Sequence, residues 1–212
     1  MTLSNKAQEI YNSITEDTKM GDLKKLAKVI KKDHELAMEL WSTEGYLPRM
    51  LSVLIMDKSI LTQSLIEGLV KNLAIQTYDE RNQITEWLMA NQLMKSKATI
   101  LLLESWANHE LSDLRRLYWY YQARLRWMGK VPIQNTLELM DAIEANIETE
   151  QPEVQWTMNF CAAWIGVFEP PYRKKCIELG ERLGLYKDYK PTKGCTPSYL
   201  PDFIRIECAK RN

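Results

Sequence analysis

Two residues one helical turn apart, Trp87 and Asn91 in "NQITEWLMANQLM" (82–94), are the first whose types and spacing could do chemistry. At i and i+4 of a helix their side chains share a face, so an indole can present a flat apolar surface beside a carboxamide that orients a water or a sugar. A carboxamide donates and accepts hydrogen bonds, but it supplies no anion and accepts no proton at neutral pH. The same pair also reads as packing: Ile84, Leu88 and Met94 make an apolar stripe around Trp87, which leaves Asn91 as a helix-surface amide.

Positive charge is the second candidate chemistry. Lys24, Lys28, Lys31 and Lys32 recur at i, i+4, i+7 and i+8, opposite an apolar face of Leu23, Leu26, Ala27 and Ile30, with Lys25 beside them. In "LRRLYWYYQARLRWMGK" Arg115, Arg116, Arg124, Arg126 and Lys130 interleave with Tyr118, Trp119, Tyr120, Tyr121 and Trp127. Arg173, Lys174 and Lys175 open a later helix, and Lys190 and Lys193 lie in a loop near the C-terminus. Between Lys130 and Arg173 there is no Lys or Arg, while Glu138, Asp141, Glu144, Glu148, Glu150 and Glu153 accumulate. Basic and aromatic segments of this kind can track a phosphate backbone while an acidic helix faces away from it. Solvated faces are the default reading of charged helices, with at least half of the Tyr118–Tyr121 run needed for packing in either case.

Other chemistries find little support. Cys161, Cys176, Cys195 and Cys208 are too widely spaced for a metal knuckle, and His34 and His109 are the only histidines, so neither a metal, a cofactor nor a disulfide framework is expected. Cys195 has no base beside it in sequence and is not read as a nucleophile. Lys and Arg together number 28, as do Asp and Glu, so any polyanion must be met by a local patch and not by the global field. The N-terminal stretch lacks a charged segment followed by an apolar one, and no run reaches the roughly 18 apolar residues of a spanning helix; a cytoplasmic, monomeric protein away from membranes is expected.

The elements that must position these residues are helices. Alternating β-branched runs and Asn-Gly or Asp-Gly turns are missing, and apolar residues recur at helical spacing almost throughout. Asp22 and Asp33 are the expected N-caps of the first strongly periodic helices. Helix openings near Ser59, Lys97, Pro132 and Pro171 lie about 36 to 38 residues apart, near the period of helix-pair repeats of the HEAT type. The expected fold is all-α: a right-handed superhelix of HEAT-like antiparallel helix pairs, one domain over residues 1–212. "KDYKPTKGCTPSYLP" reads as a loop before a short last helix, "DFIRIECAK", the two (about 185–212) capping the last repeat through Tyr199 and Phe203. An irregular helical bundle is the alternative.

The order and spacing of "LAMELWSTEGYLPRMLSVLIMDKSIL", "ITEWLMANQ", "PEVQWTMNF" and "KGCT" resemble the AlkD-type DNA alkylation repair family, in particular a compact subgroup, over roughly residues 20 to 210. The resemblance implies a concave basic face that holds double-stranded DNA, and hydrolysis of the N-glycosidic bond of cationic alkylated purines such as 3-methyladenine and 7-methylguanine. It places the family's first cleft tryptophan on Trp87 and its second aromatic on Phe160, with Trp156 one turn earlier as the other candidate. It places the family's catalytic aspartate on Asn91. The departure matters, because losing one well-placed electrostatic group costs on the order of a hundredfold to a thousandfold in rate. Two functions are therefore expected to compete: a glycosylase in which Asn91 or another carboxylate does the aspartate's work, and a HEAT-like module that binds DNA or a protein without cleaving a bond. A carboxylate near the Trp87 face would distinguish them.

Overall fold

The computed structural model describes residues 3–129 and 134–211, which form twelve α-helices and no strand among the described residues. They fall into two compact units, Met1–Glu104 and Ser105–Asn212. The first holds α1 (Asn5–Ser13), α2 (Met20–Ile30), α3 (His34–Ser42), α4 (Tyr46–Ile55), α5 (Gln63–Lys71), α6 (Tyr78–Asn91) and nearly all of α7 (Lys97–Ser105). The second holds α8 (Ser112–Trp127), α9 (Thr136–Asn146), α10 (Pro152–Phe168), α11 (Pro170–Leu183) and α12 (Leu200–Ala209).

Caps written in the sequence start several of these helices. Asp33 accepts a hydrogen bond from the Leu36 amide at 3.1 Å, as expected of the cap of α3. Thr77 and Glu80 form a reciprocal capping box at α6, where Glu80 accepts from the Thr77 amide at 3.1 Å. Asp22 differs from expectation. Helix α2 begins almost a turn earlier, at Met20, so Asp22 sits in its first turn and its carboxylate reaches back to the Lys19 amide at 3.4 Å. A 3-10 turn (Lys58–Ile60) occupies the expected opening near Ser59, and α5 starts after Thr62, whose hydroxyl accepts from the Leu65 amide. Helices α7 and α11 open at Lys97 and Pro170 as expected, whereas the Pro132 opening lies outside the described residues.

Alternate helices pack on one another. In the first unit α1 contacts α3, α3 packs on α4, and α2 and α6 also contact α4; the apolar positions of α4 and α6 that make this possible, Leu51, Val53, Ile84 and Leu88, are fully buried. Each such side chain contributes roughly 1.5–3 kcal/mol by leaving water. In the second unit α10 is central: α8 and α12 pack on it, with α9 and α11 alongside. Two glycines let α12 come close. A Cβ on Gly166 of α10 would meet the Ile204 side chain, and one on Gly180 of α11 would lie 2.6 Å from Pro201 Cδ and 2.7 Å from Leu200 Cβ. A strap of 16 residues, 184–199, joins α11 to α12.

Candidate nucleic-acid interface

Trp87 and Asn91 do share a face of α6, both half-buried. Trp87 donates its indole N–H to the Met50 carbonyl of α4 at 3.1 Å, which fixes the ring, and Asn91 donates its Nδ2 to the Trp87 carbonyl at 2.9 Å. Lys24 of α2 places its Nζ 5.1 Å from the centroid of the Trp87 ring, a cation–π distance. Lys24, Lys28 and Lys31 are exposed and make no ion pair among the described residues, so the stripe expected on α2 is an open positive edge that ends on the tryptophan. Lys31 ends the helix with φ at 65°.

Beside this edge is an open cleft of about 440 Å³, lined by Asn91, Gln92, Lys31, Lys32, Lys58 and Asp57 among others. Gln92 is buried and donates to the Val53 and Met56 carbonyls at 2.6 and 3.3 Å, clamping the end of α6 onto α4. Asp57 is the carboxylate of the cleft, a role that sequence reading missed although it lies in "LAMELWSTEGYLPRMLSVLIMDKSIL"; only the fold carries residue 57 to residue 91. It accepts from Lys32 Nζ at 2.8 Å, from the Ser59 hydroxyl at 2.7 Å and from the Ser59 amide at 2.9 Å. Those donors, Lys32 foremost, hold its pKa far below the ordinary carboxylate value. Lys32, counted with the open stripe from sequence, is therefore a paired lysine.

The basic segments of the second unit are mostly not open. Arg126 is 3% exposed and donates to Glu169 at 2.5 Å, to Thr136 at 2.9 Å, to Asn135 at 3.3 Å and to the Gln122 carbonyl at 3.1 Å. Arg116 is equally buried, with its guanidinium 5.8 Å from the Tyr120 ring centroid. Arg115 grips Glu150 with two hydrogen bonds, at 2.9 and 2.8 Å, and Arg124 is half-buried with its guanidinium 5.3 Å from the Trp127 ring centroid. Arg173 caps the end of α10 by donating to the Gly166 and Val167 carbonyls at 2.9 and 3.0 Å. Lys175 meets Asp141 and Glu144 at 3.4 and 3.2 Å, and Arg182 meets Glu148 at 3.3 Å.

The acidic segment thus corrects the sequence reading. Instead of facing away throughout, it supplies the carboxylates that pair with Arg115, Lys175 and Arg182, which offsets the desolvation of the more buried of these cations. Among the remaining cations Lys174 is exposed, 3.5 Å from Glu178, and Lys193 is exposed on the strap. Lys130 lies outside the described residues. Trp156 and Phe160 of α10 are half-buried and stack on one another with centroids 5.1 Å apart, and Tyr120 of α8 stacks on Phe160 at 5.7 Å. No group of three or more potential metal ligands occurs among the described residues, and no described helix is long and apolar enough to cross a membrane.

No family model and no curated protein matches the sequence. Among solved structures the chain is similar to one described as "a new family of proteins related to the HEAT-like repeat DNA glycosylases with affinity for branched DNA structures". The match covers 98% of this chain and 88% of that one, with a TM-score of 0.66 and 16% identity. The class is thereby set: this is an all-α protein with the HEAT-like repeat fold.

Proposed function

We propose that the protein is a DNA-binding member of the HEAT-like glycosylase relatives, and that it grips the phosphate backbone with Lys24, Lys28 and Lys31 while Trp87 packs against a sugar. The observation that carries this reading is the unpaired lysine edge that ends with Lys24 over Trp87. In the second unit Arg115, Arg126, Lys175 and Arg182 pair with carboxylates; here three cations at helical spacing have none among the described residues, an arrangement that suits a polyanion. The described affinity of the structural neighbour for branched DNA supports the same partner class.

Binding is tested by fluorescence anisotropy with a blunt duplex and a four-way junction at several salt concentrations. The expected result is binding that weakens steeply with salt and is lost in the Lys24→Ala/Lys28→Ala/Lys31→Ala variant. Absence of binding at low salt to either DNA would overturn the proposal.

A second reading, N-glycosidic hydrolysis of alkylated purines, has one observation in its favour: Asp57 lines the same cleft as Asn91. Against it, Asp57 is already engaged by Lys32 and Ser59, so its charge is largely spent within the protein. Release of 7-methylguanine from methylated duplex by the wild type, Asn91→Asp and Asp57→Asn decides. Release by the wild type that is lost in Asp57→Asn establishes the enzyme. Release only by Asn91→Asp identifies a binding protein that lacks the anion.

A further inference from the structure

The second unit carries a cleft of about 220 Å³ that the lysine edge does not involve. Its lining includes the stacked pair Trp156 and Phe160, Phe203 set edge-on to Phe160 at 82°, and Tyr189 of the strap, which is 64% exposed. One polar side chain in the lining is buried and incompletely used. Asn159, 4% exposed, donates Nδ2 to the Ser198 carbonyl at 2.8 Å and thereby ties down the strap, but its Oδ1 accepts no hydrogen bond among the described residues.

We infer that this cleft receives one unpaired nucleobase, which lies against the Trp156–Phe160 surface and donates an N–H to Asn159 Oδ1. The volume is below the roughly 300–1,000 Å³ of ordinary small-molecule pockets, so it suits a single ring system and not a whole nucleotide. Aromatic rings in the lining favour a planar guest, and stacking on aromatic side chains together with hydrogen bonds to the base edge is how unpaired bases are held. Lys190 and Lys193, exposed on the strap and without ion pairs among the described residues, lie next in sequence to the lining residues Tyr189 and Thr192 and supply charge for the attached phosphates. As a nucleic-acid site the cleft rests on the proposed function; as a receptor for a heteroaromatic ring it does not.

Cys195 makes the test direct, because it is exposed and lines the same cleft, whereas Cys161 and Cys176 are buried with thiols pushed up to about 12. The full chain is alkylated with iodoacetamide and the Cys195 peptide is followed by mass spectrometry. Three probes are compared at saturation: a duplex with a single-adenine overhang, the same duplex with an abasic overhang, and deoxyadenosine monophosphate. The expected result is slower alkylation with the adenine overhang than with the abasic one. The adenine overhang should also bind about tenfold more tightly, the scale of one stacked base. Trp156→Ala abolishes both differences and Trp156→Phe restores them. Equal alkylation and equal affinity for the two overhangs, with both bound, overturn the inference and leave DNA binding standing. If neither duplex binds, the proposed function fails, and the cleft stands or falls on whether the mononucleotide alone protects Cys195.

Discussion

Asn91 donates its side-chain amide to the carbonyl of Trp87, one turn back along α6, at 2.9 Å. The bond couples the two residues whose spacing first suggested a site, and it uses the one atom type that an aspartate lacks. Asn91→Asp therefore sets a carboxylate against a carbonyl and adds negative charge at a helix C-terminus. The expected cost is about 1–2 kcal/mol from the lost bond and the helix dipole, read as a lower urea midpoint with unchanged slope. A variant that keeps the wild-type midpoint would mean that the new carboxylate turns toward Lys31 across the cleft.

The lysine edge has a quantitative signature. Three phosphate contacts give a plot of log affinity against log salt a slope of about −2.7 on duplex DNA, and each Lys→Ala change at 24, 28 or 31 makes it shallower by about 0.9. Lys174→Ala should leave it unchanged, since that lysine already faces Glu178 at 3.5 Å.

Arg126 is a separate case. Its guanidinium is held by Glu169, Thr136 and Asn135 inside the second unit, so Arg126→Met strands a buried carboxylate, at a cost of about 3–5 kcal/mol. Pairing it with Glu169→Leu should recover much of the loss, which chemical denaturation of the two variants measures. A loss of DNA affinity without loss of stability would contradict the structural role.

The strap is anchored by acid. Burial pushes the pKa of Glu207 up, but hydrogen bonds from Lys210, Thr196 and Arg211 outweigh it and bring the carboxyl from 4.5 down to about 2. A folded-state value below the unfolded one stabilises the fold above the unfolded value, and that contribution is lost as pH falls through the folded one. Strap anchoring should therefore weaken between about pH 4.5 and pH 2, followed as growing proteolysis by pepsin within residues 184–199. Glu207→Gln should remove that pH dependence.

Local signals were legible in the sequence and long-range ones were not. Helical periodicity located the elements, and Asp33 announced its helix because a cap acts within three residues. The α2 stripe was also readable, since i, i+4 and i+7 on one helix fix a common edge. Charge pairing was not: Glu150 and Arg115 are 35 positions apart, and no spacing rule joins them. For the same reason nothing set Arg126 apart from an arginine on a solvated helix face, and Asp57 gave no sign that it would share a cleft with Asn91.

The glycine contacts of α12 have a consequence of another kind. Most helices here are held by what their side chains fill, so they are weakened by truncation. Helix α12 is held on Gly180 by what is missing, where Pro201 Cδ and Leu200 Cβ would lie 2.6 and 2.7 Å from an added methyl. Neither is the free end of a flexible chain, so neither can swing aside. The grip on the last helix is thus lost by addition: alanine, the mildest substitution elsewhere in a helix and the better helix former, acts at position 180 as a wedge.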